Sequence, residues 1–276
     1  QPGIRQVLDY LKSKNKKMDY QLKDKKVFIS GSTKGIGLAT AKTLAKEGAE
    51  VIINGRSQES IDQAISSITA EIKNAKISGI ACDFSKKDQV DSLIEKLGKV
   101  DILINNVGIF NPKDFFEIPD EEWKAFYEVN VLSGVRLSKA LLPKMLAQDW
   151  GRIIFISSES ALNIPVEMIH YGMTKTAQLS ISRGIAEITK GTNVTVNSVL
   201  PGPTYSEGVK DMVDAENNDK KEIENEFFET QRPSSLIQRF ADPQEVANMI
   251  AYVASPLSSA TNGASLRVDG GVVKYI

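Results

Sequence analysis

Short runs of valine and isoleucine alternate with helix-like segments from Lys26 to about residue 200. The apolar runs are KVFIS, EVIIN, KISGIACD, DILINN, RIIFISS and NVTVNSVL, and amphipathic stretches such as GLATAKTLAKEG and KKDQVDSLIEKLG lie between them. Continuous apolar strands separated by helices are typical of a parallel sheet that is covered on both faces. The pattern therefore predicts an α/β fold with a doubly wound parallel sheet in three α/β/α layers.

Two segments stand apart from this alternation. Residues 1–17 are rich in lysine and precede a methionine, Met18, that resembles a natural start. We interpret them as an extension, either artificial or weakly conserved, with a partner-docking helix as the alternative. Residues 203–235 are polar and acidic, which fits either a solvated helical excursion or a substrate lid beyond the carboxyl edge of the sheet. Because no linker divides residues 18–276, we expect a single domain.

Charge and cysteine content narrow the possible partners. The net charge is −1 and the pI is near 6.1, so nucleic acid and anionic membrane surfaces are not expected as partners. Cys82 is the only cysteine, which fits a reducing compartment. No apolar run approaches the ~18 residues that span a bilayer, and the N-terminus lacks the apolar core of a signal peptide. We expect a cytoplasmic protein with a small-molecule partner and no metal.

The segment ISGSTKGIG, residues 29–37, follows the first strand and opens the first helix. Glycines 31, 35 and 37 permit a tight turn and a close approach to a pyrophosphate, which the free N–H groups of the helix start would bind. In such a Rossmann-like loop we expect cofactor contacts from Gly31, Ser32, Thr33, Lys34, Gly35, Ile36 and Gly37. A plain strand-to-helix turn is the alternative.

The end of the second strand bears on the choice between NAD and NADP. An acidic residue there usually binds the ribose hydroxyls of NAD, whereas an arginine accommodates the 2′-phosphate of NADP. This chain reads VIINGRS, with Gly55 at the expected acidic position and Arg56 after it, and Lys34 lies in the glycine loop. Two cations without a carboxylate predict NADP, although each cation alone also fits a solvated surface charge.

Tyr171 and Lys175 stand four residues apart in a helix-like segment. This spacing places a phenol and an ammonium on one helix face. A tyrosine that packs under a lysine stem is the alternative interpretation. His170, the only histidine, is rotated by ~100° from Tyr171 on a helix, and we expect it at the surface or behind the site.

From Asp24 to Gly271 the chain resembles the short-chain dehydrogenase/reductase family. The likeness rests on the ordered motifs GSTKGIG, NNVG at 105–108, VN at 129–130, ISS before the tyrosine, PG at 201–202 and VDGG near the end. The resemblance implies a catalytic group of Asn130, Ser158, Tyr171 and Lys175. Ser158 is preferred to its neighbour Ser157 because it lies thirteen residues before Tyr171, the usual family spacing.

The resemblance also implies further cofactor contacts and an assembly. These contacts are Asn106, Gly108, Pro201, Gly202, Asp83 and either Thr204 or Ser206. Asp83 would touch the adenine, and a cap or turn residue is the alternative for it. Members of the family commonly form tetramers, so a homo-oligomer, and specifically a homotetramer, is expected.

Together these features predict an NADP-dependent oxidoreductase that interconverts a carbonyl compound and an alcohol. Tyr171 would act as acid and base, with its pKa lowered by Lys175 and the oxidised nicotinamide. Ser158 would hydrogen-bond the substrate oxygen, and Asn130 would anchor a water that returns protons to Lys175. We expect Ser160, Ile164, Pro165, Val209 and Met212 around the substrate, with structural packing as the equal alternative.

Three other functions stay open. The chain could be a catalytically silent NADP-binding sensor or scaffold, or an enzyme that uses the cofactor for epimerisation or dehydration. It could also be a 3-oxoacyl carrier-protein reductase, which is disfavoured because the acidic 203–235 segment would repel an acidic carrier protein.

Overall fold

In the computed structural model, which describes residues 18–207, 210 and 219–276, seven parallel strands form one sheet. They are β1 (Lys26–Ile29), β2 (Glu50–Gly55), β3 (Lys76–Ala81), β4 (Ile102–Asn105), β5 (Gly151–Ile156), β6 (Val194–Pro201) and β7 (Ser265–Val268). Their order is β3-β2-β1-β4-β5-β6-β7. Strands are added to one side of β1 as far as β3 and to its other side from β4 onward. This reversal of strand order between β1 and β4 creates the crevice where doubly wound folds bind ligands.

Helices cover both faces of this sheet. They are α1 (Gly35–Lys46), α2 (Gln58–Glu71), α3 (Lys87–Leu97), α4 (Asp120–Tyr127), α5 (Ser133–Ala147), α6 (Ile169–Ile188), α7 (Lys220–Thr230) and α8 (Pro243–Ala254), and a π-helical turn, Glu128–Leu132, precedes α5. Apolar residues of α1, α2 and α8 pack on one face of the sheet, and those of α3, α5 and α6 pack on the other. The predicted three-layer α/β/α fold is confirmed.

The apolar runs of the sequence have a direct structural cause. In β1, Val27 and Ile29 point into the core beneath α1 and α8, whereas Phe28 points into the opposite core beneath α3 and α5. Because successive side chains of a strand face opposite ways, a strand with helices on both sides needs apolar residues at every position. Full burial of each such side chain contributes about 1.5–3 kcal/mol to folding.

The carboxyl ends of the central strands meet along one edge of the sheet. The predicted motifs follow these ends: residues 31–37 after β1, 106–108 after β4, 157–158 after β5 and 202–204 after β6. The predicted extension, residues 1–17, lies outside the described residues, as do positions 208–209 and 211–218 of the predicted lid. Within the part of the chain that is described, no helix is long and apolar enough to cross a membrane.

Candidate active site

The glycine loop connects β1 to α1 with its backbone closely packed. Gly31 has a φ of +60°, a left-handed conformation that glycine adopts without strain. A Cβ at Gly37 would lie 2.6 Å from Asn106 Nδ2 and 2.6 Å from the Gly31 carbonyl oxygen. Buried Ser32 braces the loop, because its hydroxyl donates to the Ile29 carbonyl at 2.7 Å. The N-terminus of α1 is thereby held open beside the loop, as anion binding requires.

The end of β2 accommodates no side chain at Gly55 unless its neighbours shift. A Cβ there would lie 2.7 Å from Ser60 Oγ and 2.7 Å from Thr33 Cγ2. Asn54, the residue before it, is buried, and its Oδ1 accepts the Gly31 N–H at 2.9 Å. Arg56 is exposed directly after the strand. This arrangement leaves a cation, and no acidic residue, at the position that distinguishes NAD from NADP.

Two further predicted cofactor residues lie on the neighbouring strand ends. Asn106 Nδ2 donates to the Gly31 carbonyl at 2.7 Å, so the end of β4 is tied to the glycine loop. Asp83, beyond β3, accepts hydrogen bonds from the N–H and the hydroxyl of Ser85, and these bonds lower its pKa. Asp83 therefore stabilises the turn after β3, which was the alternative interpretation for this residue. Its contact with the adenine stays a prediction.

The segment after β6 runs along the same edge. The Gly202 N–H donates to the Val268 carbonyl at 3.0 Å, and the Thr204 hydroxyl donates back to the Gly202 carbonyl at 2.9 Å. Thr204 and Ser206 both line the cavity described below. The choice between these two hydroxyls for the cofactor carboxamide stays open.

The four predicted catalytic side chains come from three adjacent elements. Ser158 follows β5, Tyr171 and Lys175 lie one turn apart on α6, and Asn130 lies in the π-helical turn before α5. The Lys175 ammonium is 5.5 Å from the centre of the Tyr171 ring. Ser157 donates its hydroxyl to the Lys175 carbonyl at 2.9 Å, whereas the Ser158 hydroxyl is hydrogen-bonded to Tyr171; the preference for Ser158 over Ser157 stays a prediction.

Burial dominates the proton chemistry of this group. It raises the pKa of Tyr171 to about 12, and a hydrogen bond with Ser158 partly offsets this rise. Burial also lowers the pKa of Lys175 to about 8. Lys175 is not among the causes of the Tyr171 pKa shift in the protein alone, since its ammonium is buried and turned to the Ile156 carbonyl, to which it donates at 3.0 Å. The lowering expected when the oxidised nicotinamide is also bound stays a prediction.

A glutamine that is absent from the predicted site connects Lys175 with Asn130. Gln178 is buried on the same face of α6, and its Oε1 lies 3.4 Å from Lys175 Nζ. Its Nε2 donates to the Asn130 carbonyl at 2.6 Å. The Asn130 side chain bonds both backbone groups of Ile109 and the Thr174 hydroxyl. The 171, 175, 178 spacing is the signal that could have found Gln178, because it continues one helical face.

A cavity of about 400 Å³ joins the two halves of the site. On the cofactor side it is lined by Lys34, Ile36, Gly37, Asn106, Gly108, Pro201, Gly202, Thr204 and Ser206. On the other side it is lined by Phe110, Ile156, Ser157, Ser158, Glu159, Ser160, Met168, Tyr171, Lys175, Pro203, Ile223, Phe227, Arg232 and Phe240. The cavity has the mostly apolar character, with a few convergent polar groups, that is typical of a small-molecule site.

The predicted substrate residues are only partly among these. Ser160 lines the cavity, whereas Ile164 and Pro165 do not; Ile164 is 45% exposed and Pro165 is buried. Val209 and Met212 lie outside the described residues. The 203–235 segment does reach the cavity through Ile223 and Phe227 of α7. Whether this segment moves as a lid stays a prediction.

His170 is not a surface residue, which excludes the first of its two predicted positions. Its side chain is 0% exposed, it stacks on Phe126 with ring centres 4.1 Å apart, and its Nε2 lies 3.2 Å from Glu122 Oε1. The predicted rotation away from Tyr171 turns the ring toward α4, which packs against that side of α6 and covers it. His170 therefore supports the helix that carries Tyr171.

Known proteins share this fold and these motifs. A family model described as enoyl-(acyl carrier protein) reductase matches residues 31–273. The chain is 34% identical to dehydrogenase/reductase SDR family member 4 of Caenorhabditis elegans, over 90% of this chain and 95% of that protein. The chain belongs to the short-chain dehydrogenase/reductase family. Its members are oxidoreductases, and the resemblance stated from the motifs is confirmed.

Two further similarities extend over nearly the whole chain. The uncharacterised oxidoreductase YvrD of Bacillus subtilis is 50% identical, over 94% of this chain and 100% of that protein. A crystal structure of L-sorbose reductase from Gluconobacter frateurii, complexed with NADPH and L-sorbose, is similar with a TM-score of 0.86 at 30% identity. It covers 94% of this chain and 100% of that one.

Proposed function

We propose that this chain is an NADP-dependent reductase that interconverts a carbonyl compound and an alcohol, with Tyr171 as the acid and base. One observation carries the proposal: Ser158, Tyr171 and Lys175 line the same cavity as the glycine loop. A dinucleotide with its pyrophosphate at the start of α1 would therefore direct its nicotinamide toward these three side chains. The proposal assigns Gly31–Gly37, Asn106, Gly108, Pro201 and Gly202 to the cofactor.

NADP is favoured over NAD by the groups at the end of β2. A side chain at Gly55 would require Ser60 and Thr33 to shift, and Arg56 is exposed beside that position. Exposed Lys34 in the glycine loop supplies a second cation. An arginine binds phosphate through several N–H donors at once. The NADPH in the related L-sorbose reductase structure supports the same assignment.

The chain's own groups fit the reduction direction. NADPH, when bound, supplies the hydride. A pKa of about 12 keeps the Tyr171 phenol protonated at neutral pH, so it has a proton to give to the developing alkoxide. Ser158 Oγ already accepts the Ser160 N–H at 3.1 Å, so its own O–H donates to the same substrate oxygen.

Lys175 and its neighbours would return a proton to Tyr171 after the phenol has given its own to the substrate. With a pKa lowered to about 8 by burial, the ammonium exchanges protons near neutral pH. Gln178 holds it toward the Asn130 carbonyl, which keeps a second lone pair for the predicted water. Lys175 would also hold the ribose hydroxyls of the cofactor.

The test removes one oxygen atom. Tyr171→Phe should lower kcat by about 10²–10⁴-fold, measured as loss of NADPH absorbance with a panel of ketones and aldehydes. NADPH binding, followed by its fluorescence, should persist, because the phenyl ring remains. Tyr127→Phe is the matched control, because Tyr127 is 44% exposed and lines no part of the cavity. Full activity of the Tyr171 variant would contradict the proposal, and a wild type that binds NADPH but reduces nothing would favour the silent sensor.

A further inference from the structure

A buried ion pair forms part of the cavity wall beside the proposed catalytic serine. Glu159 directly follows Ser158 and is 3% exposed. Its Oε1 accepts a hydrogen bond from Arg232 Nε at 2.8 Å and one from Ser160 Oγ at 3.3 Å. Arg232 comes from the segment after α7, and both members of the pair line the cavity. The mechanism proposed above uses neither of them.

The second carboxylate oxygen of Glu159, Oε2, takes no part in the hydrogen bonds from Arg232 and Ser160, which both end on Oε1. Oε2 is buried and has no hydrogen-bond partner among the described residues. Burial raises the pKa of Glu159, and Arg232 and the nearby Asn163 amide oppose this rise. A buried acceptor without a partner destabilises the protein, whereas a ligand that donates to it removes that cost. Glu159 lines the cavity, so a ligand hydroxyl that reaches its carboxylate would supply the donor that Oε2 lacks.

The charges around Glu159 favour an uncharged hydrogen-bond donor over an anionic ligand group. Arg232 also donates to Glu167 Oε1 at 3.2 Å and to the Gln231 carbonyl at 2.8 Å. Two carboxylates thus share one guanidinium, which leaves an excess of negative charge that disfavours a carboxylate or phosphate. A second cation is disfavoured in turn, because Arg232 already pairs with the Glu159 carboxylate and itself lines the cavity. An uncharged hydrogen-bond donor is repelled neither by the carboxylates nor by the Arg232 guanidinium.

The pair lies close to the reacting atoms. Burial is the largest cause of the raised Tyr171 pKa, but the Glu159 charge raises it further and the Arg232 charge lowers it. Both charges are therefore within electrostatic reach of the phenol. The rest of this end is lined by the apolar residues Phe110, Met168 and Phe227 and by serines, of which Ser160 is already bonded to Glu159 Oε1. Glu159 is therefore the acidic group that a polar part of the substrate can meet.

We propose that Glu159 Oε2 accepts a hydrogen bond from a hydroxyl group next to the substrate carbonyl, and that the substrate is an uncharged hydroxy ketone or hydroxy aldehyde. The inference rests on the proposed function. Bound NADPH would supply the hydride to the carbonyl carbon and leave as NADP⁺, the carbonyl oxygen would gain one proton, and the product would be a vicinal diol. Glu159 binds and orients the substrate, and it neither gains nor loses a proton in the reaction.

Three ketones of nearly equal size test this assignment: hydroxyacetone, butanone and pyruvate carry a hydroxymethyl, an ethyl and a carboxylate group, respectively, on the same acetyl unit. In the wild type we expect kcat/KM to be highest for hydroxyacetone and lowest for pyruvate. In Glu159→Gln, which keeps the shape and loses the charge, the hydroxyacetone-to-butanone ratio should fall by about 10-fold or more, the value of a hydrogen bond to a charged group. Glu95→Gln, an exposed carboxylate of α3 outside the cavity, should leave this ratio unchanged.

A second variant and a second measurement keep the test decisive. Because Glu159→Gln leaves Arg232 with one fewer carboxylate, the double variant Glu159→Gln/Arg232→Gln removes both charges of the pair and should show the same fall. Binding of the three ketones to the NADP⁺-saturated protein, measured by saturation-transfer NMR, should follow the same order without any turnover. An unchanged hydroxyacetone-to-butanone ratio in both variants, or a preference for pyruvate, overturns the inference about Glu159. Reduction of butanone in the same experiments still supports the proposed function. Reduction of no carbonyl compound overturns the proposed function, and the binding order then decides for or against the hydroxyl contact.

Discussion

Lys175 should make the stability of this protein depend on pH in a measurable way. The ammonium is 4% exposed, and burial lowers its pKa from 10.5 to about 8. This shift corresponds to a cost of about 3 kcal/mol for the charged form in the folded state. The unfolded chain keeps its proton up to a higher pH than the folded protein does. Stability should therefore rise with pH from about 8 toward 10.5, as the buried charge is lost.

Lys175→Met isolates this contribution. Urea unfolding gives the free energy of unfolding of the wild type and of the variant at pH 7 and at pH 9.5. At each pH the value for the variant is subtracted from that for the wild type, so the contributions of other titrating groups cancel. The wild type should gain about 2 kcal/mol relative to the variant over this range. Tyr171 interferes little below pH 10, because its ordinary pKa is 10.0 and burial moves it upward.

Lys139→Met is the matched control on the surface of α5. Its ammonium is exposed in the folded protein, so it stays in water in both states and the stability difference should not change with pH. A Lys175 difference that is equally flat would refute the argument from burial. A difference that falls as pH rises would mean that the ammonium is better stabilised inside the protein than in water.

Two further predictions concern the cofactor half of the site. Arg56→Ala should weaken NADPH binding by about 10-fold or more while NADH binding changes little, since one charge-assisted hydrogen bond to the 2′-phosphate is lost; fluorescence titration checks this, and equal losses for both cofactors would contradict it. Gly37→Ala should destabilise the protein by about 1–3 kcal/mol through overpacking, because its Cβ would lie 2.6 Å from Asn106 Nδ2 and from the Gly31 carbonyl oxygen. Gly184→Ala, with no atom within 4 Å of its Cβ, should instead stabilise α6 by about 0.5–1 kcal/mol, and urea unfolding compares the two.

The central strands are predictable from the sequence because their burial is uniform. Every residue of β4, β5 and β6 is buried, so apolar residues predominate on both faces of these strands, with buried polar exceptions such as Arg152, Asn197 and Ser198. Strand β7 lacks this pattern, because it lies at the edge of the sheet, where exposed and half-buried residues alternate. Helix α8 has a local start signal instead: Asp242 and Glu245 form a capping box, and Pro243 stands in the first turn. These residue types at this spacing indicate a helix start.

The candidate site is predictable where its residues are adjacent in sequence and not where packing brings distant segments together. One helical turn joins Tyr171 to Lys175, so their spacing is informative. The pairing of Glu159 with Arg232 spans 73 residues, and no local pattern indicates it. The direction of the Tyr171 pKa shift is hidden for a similar reason, because burial depends on the whole fold. The predicted homotetramer stays a prediction that a mass measurement in solution decides.

The anchoring of Lys175 has a consequence for how new specificities arise on this scaffold. Its ammonium is held by a strand carbonyl and by a glutamine that is itself fixed to the Asn130 carbonyl. None of these partners belongs to the segments that cover the cavity from outside. Exchanging residues 219–235 for those of a relative should therefore change the outer wall of the cavity. The groups that move protons should keep their positions. Evolution can then change which compounds are accepted without altering how they are reduced.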